Sequence, residues 1–360
     1  MTKLTNFDVL VVYSQSLAKS ASDTDSLVPF PLGSRSESYN EVYGYFLNIC
    51  GQQKIKVAFT TSADIIGPGF CHSFWTIDSL GWHKNNSTCY SNLIFDKFSP
   101  TSKGVSRRRQ LLFSNPDIKP FNDPGLFSVF FDKQKTFDTL PQHSIPTITL
   151  SSPSLVDIDA ACLSLTVLTS QHSYSADFGT DIIMKDRFGA GGRRVYKYHS
   201  DQSSKMLTKI RKNPRISYII QPFTIFDKGF KHRDQFSSTD IRLIYLGGKI
   251  VQSYIRTAKA GDFRCNEHQG GLLTYLPISR LPKNLIAKSN LIAATLKNQS
   301  SLYALDFLIS NNGNIHLLEG NTGPGLDWNE SIPQNVTQAK KLICLIINEL
   351  VGRVQNNLSV

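Results

Sequence analysis

The residues with the clearest chemical potential lie in Ser301–Trp328, where Asp306, Glu319 and Asn321 sit in a stretch that reads as two strands around a turn. Leu302, Leu305, Phe307 and Ile309 are strand formers before the turn, and Ile315, Leu317 and Leu318 follow it. Asn312-Gly313 is a strong hairpin signal because both residue types tolerate positive φ. A two-residue loop there sets Asp306 directly opposite Glu319. Asn321 then shares the face of Glu319, since side chains alternate along a strand. Facing carboxylates repel, so the pattern predicts a cation between the strands. Two carboxylates and an amide oxygen suit a hard ion such as Mg²⁺ or Mn²⁺, completed by phosphate and water. The competing reading is a hairpin with solvated carboxylates at a sheet edge.

A second anion-binding pattern begins at Lys185, which ends a predicted strand and precedes DRFGAGGRRV. Gly189, Gly191 and Gly192 allow the backbone to approach a phosphate chain and present amides to it. Lys185 adds a point charge at the same place. No Gly-Lys-Ser/Thr follows and the full Gly-x-Gly-x-x-Gly is missing, so neither a Walker loop nor a dinucleotide loop is indicated. A plain turn is the alternative. Gln221 closes the strand YIIQ ahead of Pro222, either at a linker showing backbone groups to an adenine edge or at a simple crossover. Arg242, Arg256, Arg264 and Asn266 gather around glycine turns and form an anion-binding surface. A two-residue loop at Gly247-Gly248 turns Arg242 and Arg256 to opposite faces. A three-residue loop or a bulge brings both to one face.

The elements that must position these residues alternate in type. Phe7–Tyr13 and Lys54–Thr60 read as buried strands around a helix at Tyr39–Cys50, and Ser91–Phe98 as a third strand. Ser14–Ser38 is a long Ser-rich loop, a lid or a partly disordered segment. Ile66–Trp82 reads as irregular. The texture changes at Asn122–Gly125, where a domain boundary is expected. Helices follow at Phe127–Gln142, Asp157–Gln171, Leu285–Asn298 and Gln338–Val351, with strands at Thr180–Lys185 and Ser217–Pro222 and a hairpin at Ile241–Ile255.

The chain has 360 residues, 40% of them hydrophobic and 19% charged, enough for two or three compact units and against global disorder. A net charge of +11 attracts anions such as nucleotides and acidic peptides. The six cysteines form no close pair, which argues against a zinc knuckle and for a reducing, cytoplasmic setting. The opening MTKLTNFDVLVVYSQS reads as a first strand, not a signal peptide, and no apolar run reaches membrane-spanning length.

Taken in order, DIRLIYLGGKIVQSYIRTAKAGDFRCNEHQGG (240–271) and EGNTGPGL (319–326) resemble the ATP-grasp superfamily of carboxylate–amine ligases. The chain is most similar to the branch that adds glutamate to the end of a ribosomal protein. The likeness covers roughly residues 121–352. It implies an α+β / α/β fold: a Rossmann-like parallel-sheet domain over 1–120, then ATP-grasp subdomains over 121–222 and 223–360 enclosing ATP. It makes Lys133 and Lys185 the phosphate lysines, Gly189–Gly192 a mobile lid and Gln221 the adenine hinge. Asp306, Glu319 and Asn321 become ligands of two Mg²⁺ ions. Arg256 steadies the acyl phosphate, while Arg242, Arg264 and Asn266 face the substrate. Asp227 is taken as the ribose acid, although Phe223–Thr239 is longer than the family pattern. The implied activity is ADP-forming amide or peptide bond formation on an amino acid or an acidic peptide, with no membrane or nucleic-acid partner and with homo-oligomerisation open. Alternatives are a ligase that macrocyclises or tails a ribosomal peptide, and a basic nucleotide- or nucleic-acid-binding protein that has lost the reaction.

Overall fold

The computed structural model describes residues 4–100, 102–297 and 301–358. They form two compact units, one of Met1–Pro124, Ser300–Leu302 and Gly323–Val360, the other of Gly125–Gln299 and Tyr303–Thr322. Gly323–Val360, expected within the segment 223–360, groups with the first unit. The long helix Pro333–Leu358 belongs with the first unit, where it packs on the helix Tyr39–Gln52.

In the first unit, Lys119–Pro120, Leu93–Lys97, Val9–Tyr13 and Val57–Thr61 lie side by side in parallel. Val9, Leu10, Val11 and Val12 are fully buried, as a strand covered on both faces requires. The stretch expected to be irregular instead extends this sheet with an antiparallel pair, Phe74–Asp78 and Gly81–Asn85. Its Trp75 is fully buried opposite Phe59, so the aromatics there are strand residues. Ser14–Ser38 has no helix or strand but is packed. Phe30 is buried, Asn40 bridges the Phe30 N–H and carbonyl, and Trp75 donates to the Lys19 carbonyl.

The second unit carries two larger antiparallel sheets and a two-stranded ribbon, Lys231–His232 with Gln235–Phe236. The first runs Ile148–Thr149, Tyr218–Thr224, Phe178–Asp186 and Val195–His199. Helices Leu155–Ser170 and Ser203–Lys212 cover one of its faces through Ile158, Leu165, Met206 and Ile210. The second runs Leu272–Tyr275, Lys249–Thr257, Thr239–Leu246, Tyr303–Ile309 and Ile315–Asn321. One of its faces is mainly apolar and packs Ile241, Leu243, Phe307 and Leu317 with Phe130 and helix Lys283–Leu296. Asn298, the expected end of that helix, lies outside the described residues. Gly320 sits where an added Cβ would meet Phe130 at 2.2 Å, so only glycine lets this strand lie against the ring. The single helix expected over Phe127–Gln142 is two, Pro124–Phe131 and Lys133–Thr139, because Asp132 breaks it by capping the N–H groups of Gln134 and Lys135.

Both hairpins carry a one-residue bulge. Tyr245 faces Ile250 but Ile244 faces Gln252, leaving Val251 extra, so Arg242 faces Tyr254 and Asp240 faces Arg256. In the other hairpin the turn is longer than the expected two residues. Ser310 pairs with Asn314, and Gly313 alone of the two turn residues takes positive φ, +82°. Leu318 is then extra, which restores Asp306 opposite Glu319.

Candidate active site

The alternation along each strand decides which side chains reach the cavities of the second unit. Ile183, Lys185 and Gln221 point away from the helix-covered side of the four-stranded sheet. With Phe223, Phe226, Leu308 and Leu318 they line a cavity whose walls are mainly apolar. Such a slot suits a flat, weakly polar ring. Gln221 is buried and donates to the Thr147 hydroxyl at 2.7 Å. Pro222 continues the strand opposite Ile182. Asp227, expected beside a ribose, is elsewhere. It is exposed and accepts from Asn311 at 2.8 Å in the far turn, so the long Phe223–Thr239 segment carries it off the cavity.

A second cavity, lined largely by charged side chains and glycines, shares Lys185, Asn266 and Leu318 with the first. Lys133, Lys185, Gly192, Arg256, Asn266 and Glu319 line it. Burial and the neighbouring Lys133 lower the Lys185 ammonium to about 8, with Glu319 acting in the opposite sense. Two cations brought together in a partly closed space form a site for a multiply charged anion. Lys133 begins its helix and donates to the Gly189 carbonyl. Arg187 binds Asp132 through two bonds of 2.7 and 2.5 Å, tying the loop to the cap of that helix. Gly191 and Gly192 both take φ of +69°, and an added Cβ on Gly192 would lie 2.5 Å from Asn266 Oδ1. The loop is thus folded onto Asn266. It also has an apolar anchor that the sequence did not suggest, Phe188 stacked on Phe131.

The polar face of the five-stranded sheet holds the charged cluster. Arg242 grips both oxygens of Asp306 at 2.6 and 2.5 Å and donates to the Tyr254 hydroxyl at 3.2 Å. Arg256 binds Asp240 at 2.7 and 2.9 Å and reaches Asp306 at 2.8 Å. Burial pushes the Asp306 carboxyl up, but the two guanidinium groups outweigh it and hold the group at about 2. Burial raises Asp240 to about 6, partly offset by Arg256 and aggravated by Asp306. Arg256 Nη1 alone of that guanidinium makes no bond among the described residues, and Arg256 lines the polar cavity.

Three sequence expectations change here. The cation between the strands is supplied by the protein: Asp306 is neutralised by Arg242 and Arg256. Arg242 lines neither cavity, so it anchors Asp306 instead of facing a substrate. Arg264 lines the apolar cavity with Asn266, but its guanidinium closes on Asp262 two residues away at 2.8 Å. Asp240 and Tyr254 were not picked out as site residues. Their signal was the two-residue spacing to Arg242 and Arg256, readable once the bulge is known.

Glu319 makes no hydrogen bond or ion pair among the described residues and lines the cavity with the lysines. Asn321 lies two residues on, opposite Ala304. The donor types fit a hard cation shared with phosphate, with Glu319 as the open carboxylate. No group of three His, Cys, Asp or Glu side chains among the described residues makes a self-contained metal site.

Residues 132–346 match the RimK-like ATP-grasp domain. A probable alpha-L-glutamate ligase of Parasynechococcus marenigrum is 30% identical over 184 residues, covering 50% of this chain and 35% of the relative. One from Legionella pneumophila is 28% identical over 165 residues, 46% of this chain and 49% of the relative. The chain thus spans between a third and a half of the length of these curated relatives. Among solved structures, the D-cycloserine synthetase DcsG superposes with a TM-score of 0.58 at 12% identity, covering 96% of this chain and 99% of that one. The D-alanine–D-alanine ligase of Bacillus anthracis, solved with ATP, gives 0.56 at 13% identity, covering 98% and 99%. These two show the shared fold. With the matched domain spanning more than half of its length, the chain belongs to the RimK-like ATP-grasp family.

Proposed function

We propose that this protein is an ADP-forming ligase that joins a carboxylate to an amine through an acyl phosphate. One observation carries the reading: a slot with apolar walls opens onto a polar end where two lysines, a glycine loop, an open Glu319 and the free edge of Arg256 converge. In this reading the adenine of ATP occupies the slot beside Gln221, and its phosphates meet Lys133, Lys185 and the Gly189–Gly192 loop. Glu319 and Asn321 would hold Mg²⁺, or Mn²⁺, which would draw charge from phosphate oxygens when bound. Lys185 offsets negative charge at the transferred phosphoryl group. Arg256 turns Nη1 to the oxyanion that develops as the amine attacks, a contact worth roughly 3–4 kcal/mol. Asp240 and Asp306 fix that guanidinium, so it pays no reorganisation during reaction. The loop folded on Asn266 excludes the water that would hydrolyse an acyl phosphate.

The names of the curated relatives support glutamate, free or in an acidic peptide, as a substrate. Six free cysteines and the use of ATP support a cytoplasmic enzyme. The test is ADP release with Mg²⁺ and ATP, screened against the standard amino acids and a set of acidic peptides. ADP formed only with an amine acceptor, and a product heavier by one acceptor residue, is the expected result. ATP hydrolysis indifferent to every acceptor, or none at all, overturns the reading.

A further inference from the structure

The helix-covered face of the four-stranded sheet ends in an open groove that shares no residue with the two cavities above. Ile210 and Tyr218 are buried there, with Leu150 and Ile216 half-buried beside them, so the floor is apolar. Arg211 and Arg215 are exposed along it. Neither is paired with a carboxylate among the described residues. The surrounding segment Ser203–Ser217 carries Lys205, Lys209, Arg211, Lys212 and Arg215 and no Asp or Glu. Tyr218 is 1% exposed, and its hydroxyl has no hydrogen-bond partner among the described residues.

The lining residue Pro153 leads straight into the helix Leu155–Ser170, which is apolar on its outer side as well. Val156, Leu163 and Val167 are 78%, 67% and 50% exposed. Their spacing puts them on one stripe of the helix, and no charged residue follows Asp159 in it. Exposed aliphatic side chains beside a basic groove, with the exposed Asp159 among them, make a recognition surface more than a solvated one.

We propose that this groove and the adjoining helix stripe dock an acidic peptide segment bearing aliphatic side chains. The occupant follows from complementarity. The groove offers unpaired guanidinium groups, so its partner is anionic. The adjoining surface is aliphatic, and the single aromatic ring lining the groove is the buried Tyr218, so there is no exposed ring on which bases stack. A second copy of the chain would bring like charges together. The docking does not rest on the ligase reading, because none of its residues belongs to the proposed active site.

The probe is a fluorescein-labelled Glu-rich peptide carrying three leucines, with two comparisons: the same peptide with serines for leucines, and a single-stranded oligonucleotide of equal charge. Anisotropy should show salt-sensitive binding of the first peptide and at least tenfold weaker binding of the other two. Arg211→Glu with Arg215→Glu should weaken the first peptide at least tenfold, and Val156→Ser a few fold. Nucleotide affinity and the melting temperature should stay unchanged, because these side chains are exposed. Peptide affinity untouched by the double charge reversal overturns the proposal. So does tighter binding of the oligonucleotide than of the peptide, or concentration-dependent self-association that the double reversal abolishes.

Discussion

Two aspartates, one in each unit, are buried to the same degree and serve opposite ends. Asp64 in the first unit is fully buried, and Asp306 in the second is 1% exposed. Asp64 accepts from the hydroxyls of Ser20, Thr60, Thr61 and Ser73 and the N–H of Thr61, with His72 Nε2 3.3 Å from one of its oxygens. These come from the Ser-rich loop, the strand Val57–Thr61 and the residue just before the strand Phe74–Asp78, so one carboxylate ties the loop to the sheet. None of them lines a cavity of the site. Asp306 is held by two guanidinium groups, one of which keeps an unused donor at a cavity. Burial of charge by itself therefore says little about function. A carboxylate closed by hydroxyls completes a fold, whereas one closed by cations with spare donors prepares a site.

The sharpest test of this contrast is Glu319→Gln. Glu319 is the carboxylate that the cluster leaves open, so its loss should cut ATP turnover by about a thousandfold and leave the melting temperature nearly unchanged. Turnover within tenfold of the parent would remove Glu319 from the site. Arg256→Lys comes next. It keeps the charge beside Asp240 and Asp306 but loses the planar fork, and kcat should fall by about a hundredfold. Nucleotide affinity, measured by calorimetry, should stay within a few fold. If affinity falls and kcat survives, Arg256 serves ATP and not the reacting centre.

A smaller effect should appear with pH. Lys185 is lowered to about 8, so its charge is present at pH 7 and lost as pH rises through that value. Nucleotide affinity should drop by about tenfold between pH 7 and pH 9, the order expected when one unit of pKa corresponds to about 1.4 kcal/mol. Lys185→Met should flatten the profile, and a steep profile in that variant would assign the titration to another group. The smallest effect on turnover belongs to Asp64→Asn. The loss of one charged acceptor from its hydroxyl net should cost about 1–3 kcal/mol of stability in urea unfolding, with turnover in the surviving folded enzyme within twofold. A large turnover loss in a folded Asp64→Asn protein would break the contrast.

What the amino-acid sequence determined by itself is local. The parallel strands Val9–Tyr13 and Val57–Thr61, the Gly247-Gly248 and Gly313 turns, and the lysine before the glycine loop follow from side-chain pattern and backbone freedom, which act over a few residues. What only the tertiary structure decided is which faces meet. The bulges at Val251 and Leu318 each shift the pairing by one residue, and a one-residue shift turns every later side chain to the other face. No composition rule marks either position, because a bulge answers to packing on both sides of the sheet at once. The neutralisation of Asp306 depends on Arg242 and Arg256, 64 and 50 residues away in the chain. The assignment of Pro333–Leu358 to the first unit, and of Asp227 to a remote turn, are likewise settled by contacts distant in sequence. Short-range physics writes the elements, and long-range packing chooses which of their charges face one another.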